Sequence, residues 1–531
     1  MPEASSIIGT SLSRFMLHSN PKFSQMRPKI FYTSSQMERS FMMPIPTEER
    51  AMILQGGGSL GAFEVGAYKA GYQFIKYRDN KAGNTERPIF DIVAGTSIGA
   101  INSAIVTSYV IENKTWEGSA ERLIDFWNYI SAESIPDRFA DQMMRWWGYW
   151  NKIFTDVATG ETARRYYSSK EFAITGAPRV FSPPRAEHDK KFFDPFNVWY
   201  RYDNQPLKKS LEKFAKFPIA TSREENQPRL LLVTVDVMES LPVVFDSYAK
   251  EDGIRKSGYG RLIVDKDDKG LSENQKVIGF EHVIKYPEGI TSDHVIASAA
   301  VPINFDYSQI ETERYDPQTK SYKKETRYFW DGGILANTPL LQVVAAQRQY
   351  WYFGKGVKDA VPKLGVFQIN LHPARVDKVP WDHDGAVNRN SDISFGDRSK
   401  TDETILLIFQ TYANMVKELI QMAKDHGANQ KIIDDLLDKP IPGQERLEGV
   451  RGTKYRDAVE GAFNLGEIIR IQRRHDEYSI SNKIFDFSSN TIKRLIQDGY
   501  NDAVDYVKAR FGIEQVKAAG MRYDESDTLS R

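Results

Sequence analysis

Two short apolar runs, each ending in glycines, constrain this chain more than anything else in it. Ala51-Met52-Ile53-Leu54-Gln55 leads into Gly56-Gly57-Gly58-Ser59-Leu60-Gly61, and Ile89-Phe90-Asp91-Ile92-Val93-Ala94 leads into Gly95-Thr96-Ser97-Ile98-Gly99. Each reads as a buried strand, a tight turn and a helix: residues 59–77 carry Phe63, Ala67, Ala70 and Phe74 at helical spacing, and residues 98–110 are apolar with small side chains. Two such units in succession predict parallel strands whose C-terminal ends lie side by side. One turn then offers backbone N–H groups and the other a hydroxyl on a sharp bend.

The hydroxyl is that of Ser97. A nucleophilic serine at a strand-to-helix bend needs small neighbours two residues away on each side, and Gly95 and Gly99 supply them. The helix N-terminus that follows favours developing negative charge. In the first turn, Gly56, Gly57, Gly58 and Gly61 leave backbone N–H groups open to an anion. The same spacing fits a dinucleotide fingerprint, which calls for an acidic residue about 20 positions on at the end of the next strand. Asp79 falls in a charged stretch and Asp91 inside the next strand, so an oxyanion hole is the better reading.

A base is needed for the serine. Asp331 ends an apolar stretch (Tyr328-Phe329-Trp330), and Gly332 and Gly333 let it approach another turn closely. An unperturbed aspartate, with a pKa of about 3.9, is a weak base toward a hydroxyl, and burial corrects that. His372, after the apolar run 364–371, offers the alternative order Ser97, Asp331, His372 of a hydrolase triad. His282 and His294 lie within predicted elements and read as structural, while His18, His188, His383, His426 and His475 fall in loops or outer helices.

Taken together, the three motifs resemble the patatin-like phospholipase family. Residues 56–61 resemble its glycine-rich anion motif, residues 95–99 its nucleophile elbow, and Asp331-Gly332-Gly333 its Asp-Gly-Gly/Ala motif. Ala297-Ser298-Ala299-Ala300-Val301-Pro302 and Asn337-Thr338-Pro339-Leu340 add weaker matches in the same order. The resemblance covers residues 50–350 and the strand to 371. It implies a three-layer α/β/α sandwich on a mainly parallel sheet. It also implies a Ser97–Asp331 dyad that cleaves carboxylic esters of lipids or phospholipids without metal or cofactor, the alternatives being the His372 triad on the same fold or a non-catalytic lipid-binding or scaffold protein. Gly57 and Gly58, with Ile98, would supply the oxyanion N–H groups. Many family members carry Arg or Lys where Leu60 stands here, which leaves headgroup preference open.

The organisation expected around this site has three parts. Residues 1–46 form a partly ordered arm. Residues 47–375 form the hydrolase domain, with an aromatic-rich, largely helical insertion at 115–228 that serves either as packing or as a lipid-contacting lid. Residues 376–531 are mainly helical, with 373–401 loop-like and helices at 403–425, 430–437, near 456–463, and at 491–510. Lys+Arg and Asp+Glu both number 71, so no global charge recruits nucleic acid. The chain has no cysteine, no run long enough to span a bilayer and no secretory leader in its first residues. The expectation is a cytoplasmic enzyme, with peripheral membrane contact left open.

Overall fold

In the computed structural model, the described residues are 45–137, 157–183, 200–265, 276–358, 361–442, 454–474, 476 and 478–522. The chain opens with β1 (Glu48–Leu54), α1 (Gly61–Lys81), β2 (Ile92–Thr96) and α2 (Ile98–Asn113). Helices α3 (Ser119–Ile130), α4 (Val157–Thr175) and α5 (Gln205–Phe214) follow. Next come β3 (Arg229–Asp236), β4 (Leu241–Asp246), β5 (Lys256–Asp265), β6 (Lys276–Lys285) and α6 (Ser292–Ser298). Then come β7 (Ser308–Asp316), β8 (Ser321–Asp331), α7 (Leu340–Arg348) and β9 (Lys363–Asn370). The remainder holds α8 (His383–Ser394), α9 (Ser399–Asp425), α10 (Gln430–Leu437), β10 (Asn464–Gln472) and α11 (Ser489–Phe511).

One sheet runs in the order β10-β9-β1-β2-β3-β8-β7-β6-β5, with β4 also paired to β3. The five strands β10, β9, β1, β2 and β3 are mutually parallel. The apolar runs of β1, β2, β3 and β9, β3 above all with every residue buried, are those of strands covered on both faces. On one face Met52, Leu54 and Val93 pack beneath α1, α2, α3 and α11. On the other Ala51, Ile53, Ile92 and Leu231 pack against Leu340 and Val343 of α7 and Leu406 of α9. The result is a mixed α/β fold of three layers. Beyond β3 the sheet continues antiparallel through β8, β7, β6 and β5.

Several expectations are corrected. Residues 373–401 are not loop-like throughout: Asp382 caps α8 by accepting the Gly385 N–H at 2.8 Å. The buried face of α8 carries Asn388 and Asp392, so apolar periodicity could not reveal it. The helix expected near 456–463 is a single turn, Tyr455–Val459, and the chain then forms β10, which pairs in parallel with β9. Strands β5 and β7 were not expected, and β8 is much longer than its apolar end, because its first half is a polar hairpin with β7. Within the aromatic-rich insertion, residues 138–156 and 184–199, which include Trp146, Trp147, Tyr149 and Trp150, lie outside the described residues.

From Pro46 onward the chain is one compact unit, and the C-terminal region shares its core. Helices α1 and α11 cross so closely that a Cβ on Gly66 would lie 1.8 Å from the Ile496 carbonyl oxygen, and one on Gly499 2.0 Å from that of Phe63. Within the expected insertion, Trp127 is fully buried, donates its indole N–H to Asn102 Oδ1 at 3.0 Å and stacks on Phe487. It is a packing residue, not a lipid contact.

Candidate active site

The strand register brings Ser97 and Asp331 to one edge of the sheet. Thr96 lies opposite Val233 across β2 and β3, and Thr234 opposite Asp331 across β3 and β8. The residue after β2 and the last residue of β8 therefore meet at the C-terminal end of β3. Ser97 turns the chain from β2 into α2 with φ 57° and ψ −123°, a conformation that costs a non-glycine residue on the order of 1–3 kcal/mol. Its N–H donates to Ser298 Oγ at 3.0 Å, and Ser298 in turn donates to the Val233 carbonyl. The flanking glycines are required by contact: a Cβ on Gly95 would lie 2.2 Å from the Gly99 oxygen, and one on Gly99 2.4 Å from the Leu54 oxygen.

Asp331 is 5% exposed. Its Oδ1 accepts the Gly333 N–H at 2.7 Å, and its own N–H donates to the Ala300 carbonyl. Burial raises its pKa to about 6, opposed by hydrogen bonds from the Ser97 side chain and the Gly333 backbone. Gly332 lies against the Val233 carbonyl, 2.3 Å from where a Cβ would stand, so the Asp331 turn fits flush on β3.

The glycine loop is tied to the same place by Asn337. Gly56 donates its N–H to Asn337 Oδ1 at 3.1 Å, while Asn337 Nδ2 donates to the Gly56 and Phe395 carbonyls. A Cβ on Gly56 would meet Ser97 Cβ at 2.9 Å. The role expected for Gly56 in an oxyanion hole is therefore corrected, because its N–H is already committed. So is that of Gly61, which caps the preceding turn with its N–H and packs against Ile98 and Trp127. The N–H groups of Gly57 and Gly58 make no hydrogen bond to any described residue. Gly58 sits at φ +58° with its Cα against Ile484, and the neighbouring Ser59 hydroxyl donates to the Lys483 carbonyl at 2.7 Å.

His372 does not reach the Ser97–Asp331 pair by any hydrogen bond. Its ring nitrogens face Asp392 Oδ1 and the Gly56 carbonyl oxygen, each at 3.2 Å. Burial lowers its pKa against the pull of Asp392, which Lys483 also contacts. This buried group supports the glycine loop from behind. His294 is structural, accepting the Thr291 N–H in a capping box at the start of α6, and His282 is buried against Tyr259. His18, His188 and His475 lie outside the described residues.

Sequence reasoning missed four contributors. Ser298 and Asn337 were noted only as parts of weak motifs. Gln55, which accepts the Leu371 and His372 N–H groups and donates to Thr338, is an unremarkable residue after a strand. Residues 483–485 approach the loop from more than 400 positions away with no motif of their own.

The geometry can be set beside known proteins. A sequence profile described as patatin-like phospholipase matches residues 52–344. No curated protein matches the sequence. Among solved structures, the crystal structure of VipD from Legionella pneumophila aligns with 91% of this chain and 72% of its own, at 11% identity and a TM-score of 0.27. The profile match covers more than half of the chain and includes the glycine loop, the serine turn and Asp331. This chain belongs to the patatin-like phospholipase family.

Proposed function

We propose that this protein is a serine acyl hydrolase that cleaves carboxylic ester bonds of lipids or phospholipids with Ser97 as nucleophile and Asp331 as base. The family suggests lipid ester hydrolysis, and the observation that carries the assignment of residues is the strand register that sets Ser97 after β2 and the buried Asp331 at the end of β8 beside the same point of β3, with burial raising the Asp331 pKa to about 6. A carboxylate with that pKa is ionised at neutral pH yet basic enough to share the serine proton in the transition state.

In the reaction, Asp331 takes the hydroxyl proton as Ser97 Oγ bonds to the ester carbonyl carbon. The carbonyl oxygen becomes an oxyanion, which the open N–H groups of Gly57 and Gly58 stabilise together with the N-terminus of α2. Collapse of this intermediate breaks the C–O bond, and the alcohol or lysolipid leaves with the proton from Asp331. Water, deprotonated by Asp331, attacks the acyl-serine and releases the fatty acid and Ser97. Asn337 and Ser298 act through the backbone, holding Gly56 and the Ser97 N–H in place.

The test is a lipid ester screen on mixed micelles with the wild type and Ser97→Ala. Release of fatty acid by the wild type and none by the variant supports the reading. Equal release, or none from any carboxylic ester, overturns it.

A further inference from the structure

Helix α9 is the longest helix among the described residues, and those residues use only one side of it. Leu406 packs into the sheet-facing core, Gln410 bonds Asn464 and Leu465 at the start of β10, and Val416 and Ile420 pack against Ile433, Leu437 and Val459. The adjoining stripe carries Ile405, Ile408, Tyr412, Met415, Leu419 and Met422, each 41–60% exposed. Their spacing is 3, 4, 3, 4, 3, the a/d repeat of a helix–helix seam, with the exposed Leu407 and Phe409 lying beside it. We infer that this seam pairs with the same helix of a second copy of the chain, antiparallel about a two-fold axis between Tyr412 and Met415.

Self-complementarity is what selects the second copy. Antiparallel pairing about that axis sets Ile405 against Met422, Ile408 against Leu419 and Tyr412 against Met415, an apolar contact in every layer. Residues nearest the axis meet their own counterparts, and Thr411, Tyr412, Asn414 and Met415 are all uncharged. The acidic residues bordering the seam, Glu418 and Asp425, fall opposite Thr411 and Thr404, so no like charges meet. Antiparallel alignment also pairs opposite ends of the two helix dipoles. The six side chains expose on the order of 700 Å², against roughly 800 Å² per partner in a standard interface. A lipid surface fits less well, because the polar border carries these acids where an interfacial helix carries Lys and Arg.

The full chain is tested by sedimentation velocity at concentrations up to about 50 μM. The wild type forms a reversible dimer, and Tyr412→Glu/Leu419→Glu is a monomer with an unchanged thermal melt. A monomeric wild type at the highest concentration overturns the inference, as does a dimer that the double variant leaves intact. Register is tested separately, since the chain has no cysteine of its own. Oxidised Ile408→Cys/Leu419→Cys cross-links into dimers, whereas Ile408→Cys alone does not. Cross-linking by the single variant would replace the antiparallel arrangement with a parallel one. Flotation of a monomeric wild type with phosphatidylcholine/phosphatidylglycerol vesicles, lost in the double variant, would assign the seam to lipid instead.

Discussion

Asn337 grips Gly56 by both edges of its backbone: the Gly56 N–H donates to Oδ1 at 3.1 Å, and Nδ2 donates to the Gly56 carbonyl at 3.2 Å. One side chain six residues beyond Asp331 thereby fixes the glycine loop relative to the base. Asn337→Ala leaves the buried Gly56 groups without these partners, at a cost to stability of about 1–3 kcal/mol. Loosening of the loop should lower kcat on a soluble ester roughly 10–100-fold with KM little changed, because the oxyanion forms only in the transition state. Steady-state kinetics beside a denaturant melt separate the two effects.

The pH dependence follows from Asp331. The base works ionised, so kcat/KM on p-nitrophenyl butyrate should rise through pH about 6 and level off above it. Stability runs the other way. Between the ordinary carboxylate pKa of about 3.9 and the folded value near 6, the folded chain holds more protons than the unfolded one, so stability from this group falls as pH rises through that window. Asp331→Asn removes the charged, buried form. It should be inactive yet more stable by about 1–3 kcal/mol at pH 8, a gain that fades below pH 4. Thermal melts of both proteins at the two pH values check the sign.

The parts of this fold carried by local pattern were legible in the sequence. The β1 and β2 runs, their glycine turns and Ser97 sit where strand, turn and helix rules put them, and α10 was read to the residue. Asp331 was legible because an apolar strand end and two glycines adjoin it. What was not legible depends on partners remote in sequence. The strand β10 interleaves Glu467, Arg470 and Gly466 with its apolar residues, and only pairing with β9 makes it a strand. The polar helix α8 buries Asn388 and Asp392, the latter to serve His372 and Lys483. The glycine loop looked like an open anion site along its whole length, and it took Asn337 to show that Gly56 is already spoken for.

Gly58 distinguishes strain from ordinary loop freedom. It lies at φ +58°, and a Cβ there would sit 2.6 Å from the Ile484 carbonyl oxygen. Gly83, at φ +75°, has open space around it. Gly83→Ala should cost only about 1 kcal/mol, whereas Gly58→Ala should cost more and lower activity at least tenfold. Paired urea melts and ester assays measure both.

His372 separates dyad from triad. General-base catalysis by a positioned side chain is worth up to about 10⁴-fold, whereas a residue that braces Gly56 is replaceable by another donor. His372→Gln should retain kcat/KM within about tenfold and keep its rise through pH about 6. A loss near 10⁴-fold with intact folding would restore His372 as the base.

Covalent labelling reads whether Ser97 is a nucleophile activated by Asp331. A fluorophosphonate probe should modify the wild type at one site, mapped by mass spectrometry to Ser97, at a rate that rises with pH through about 6. Labelling should fall by at least about 10³-fold in Asp331→Asn. Labelling at another residue, or undiminished labelling of Ser97 in Asp331→Asn, would contradict the account.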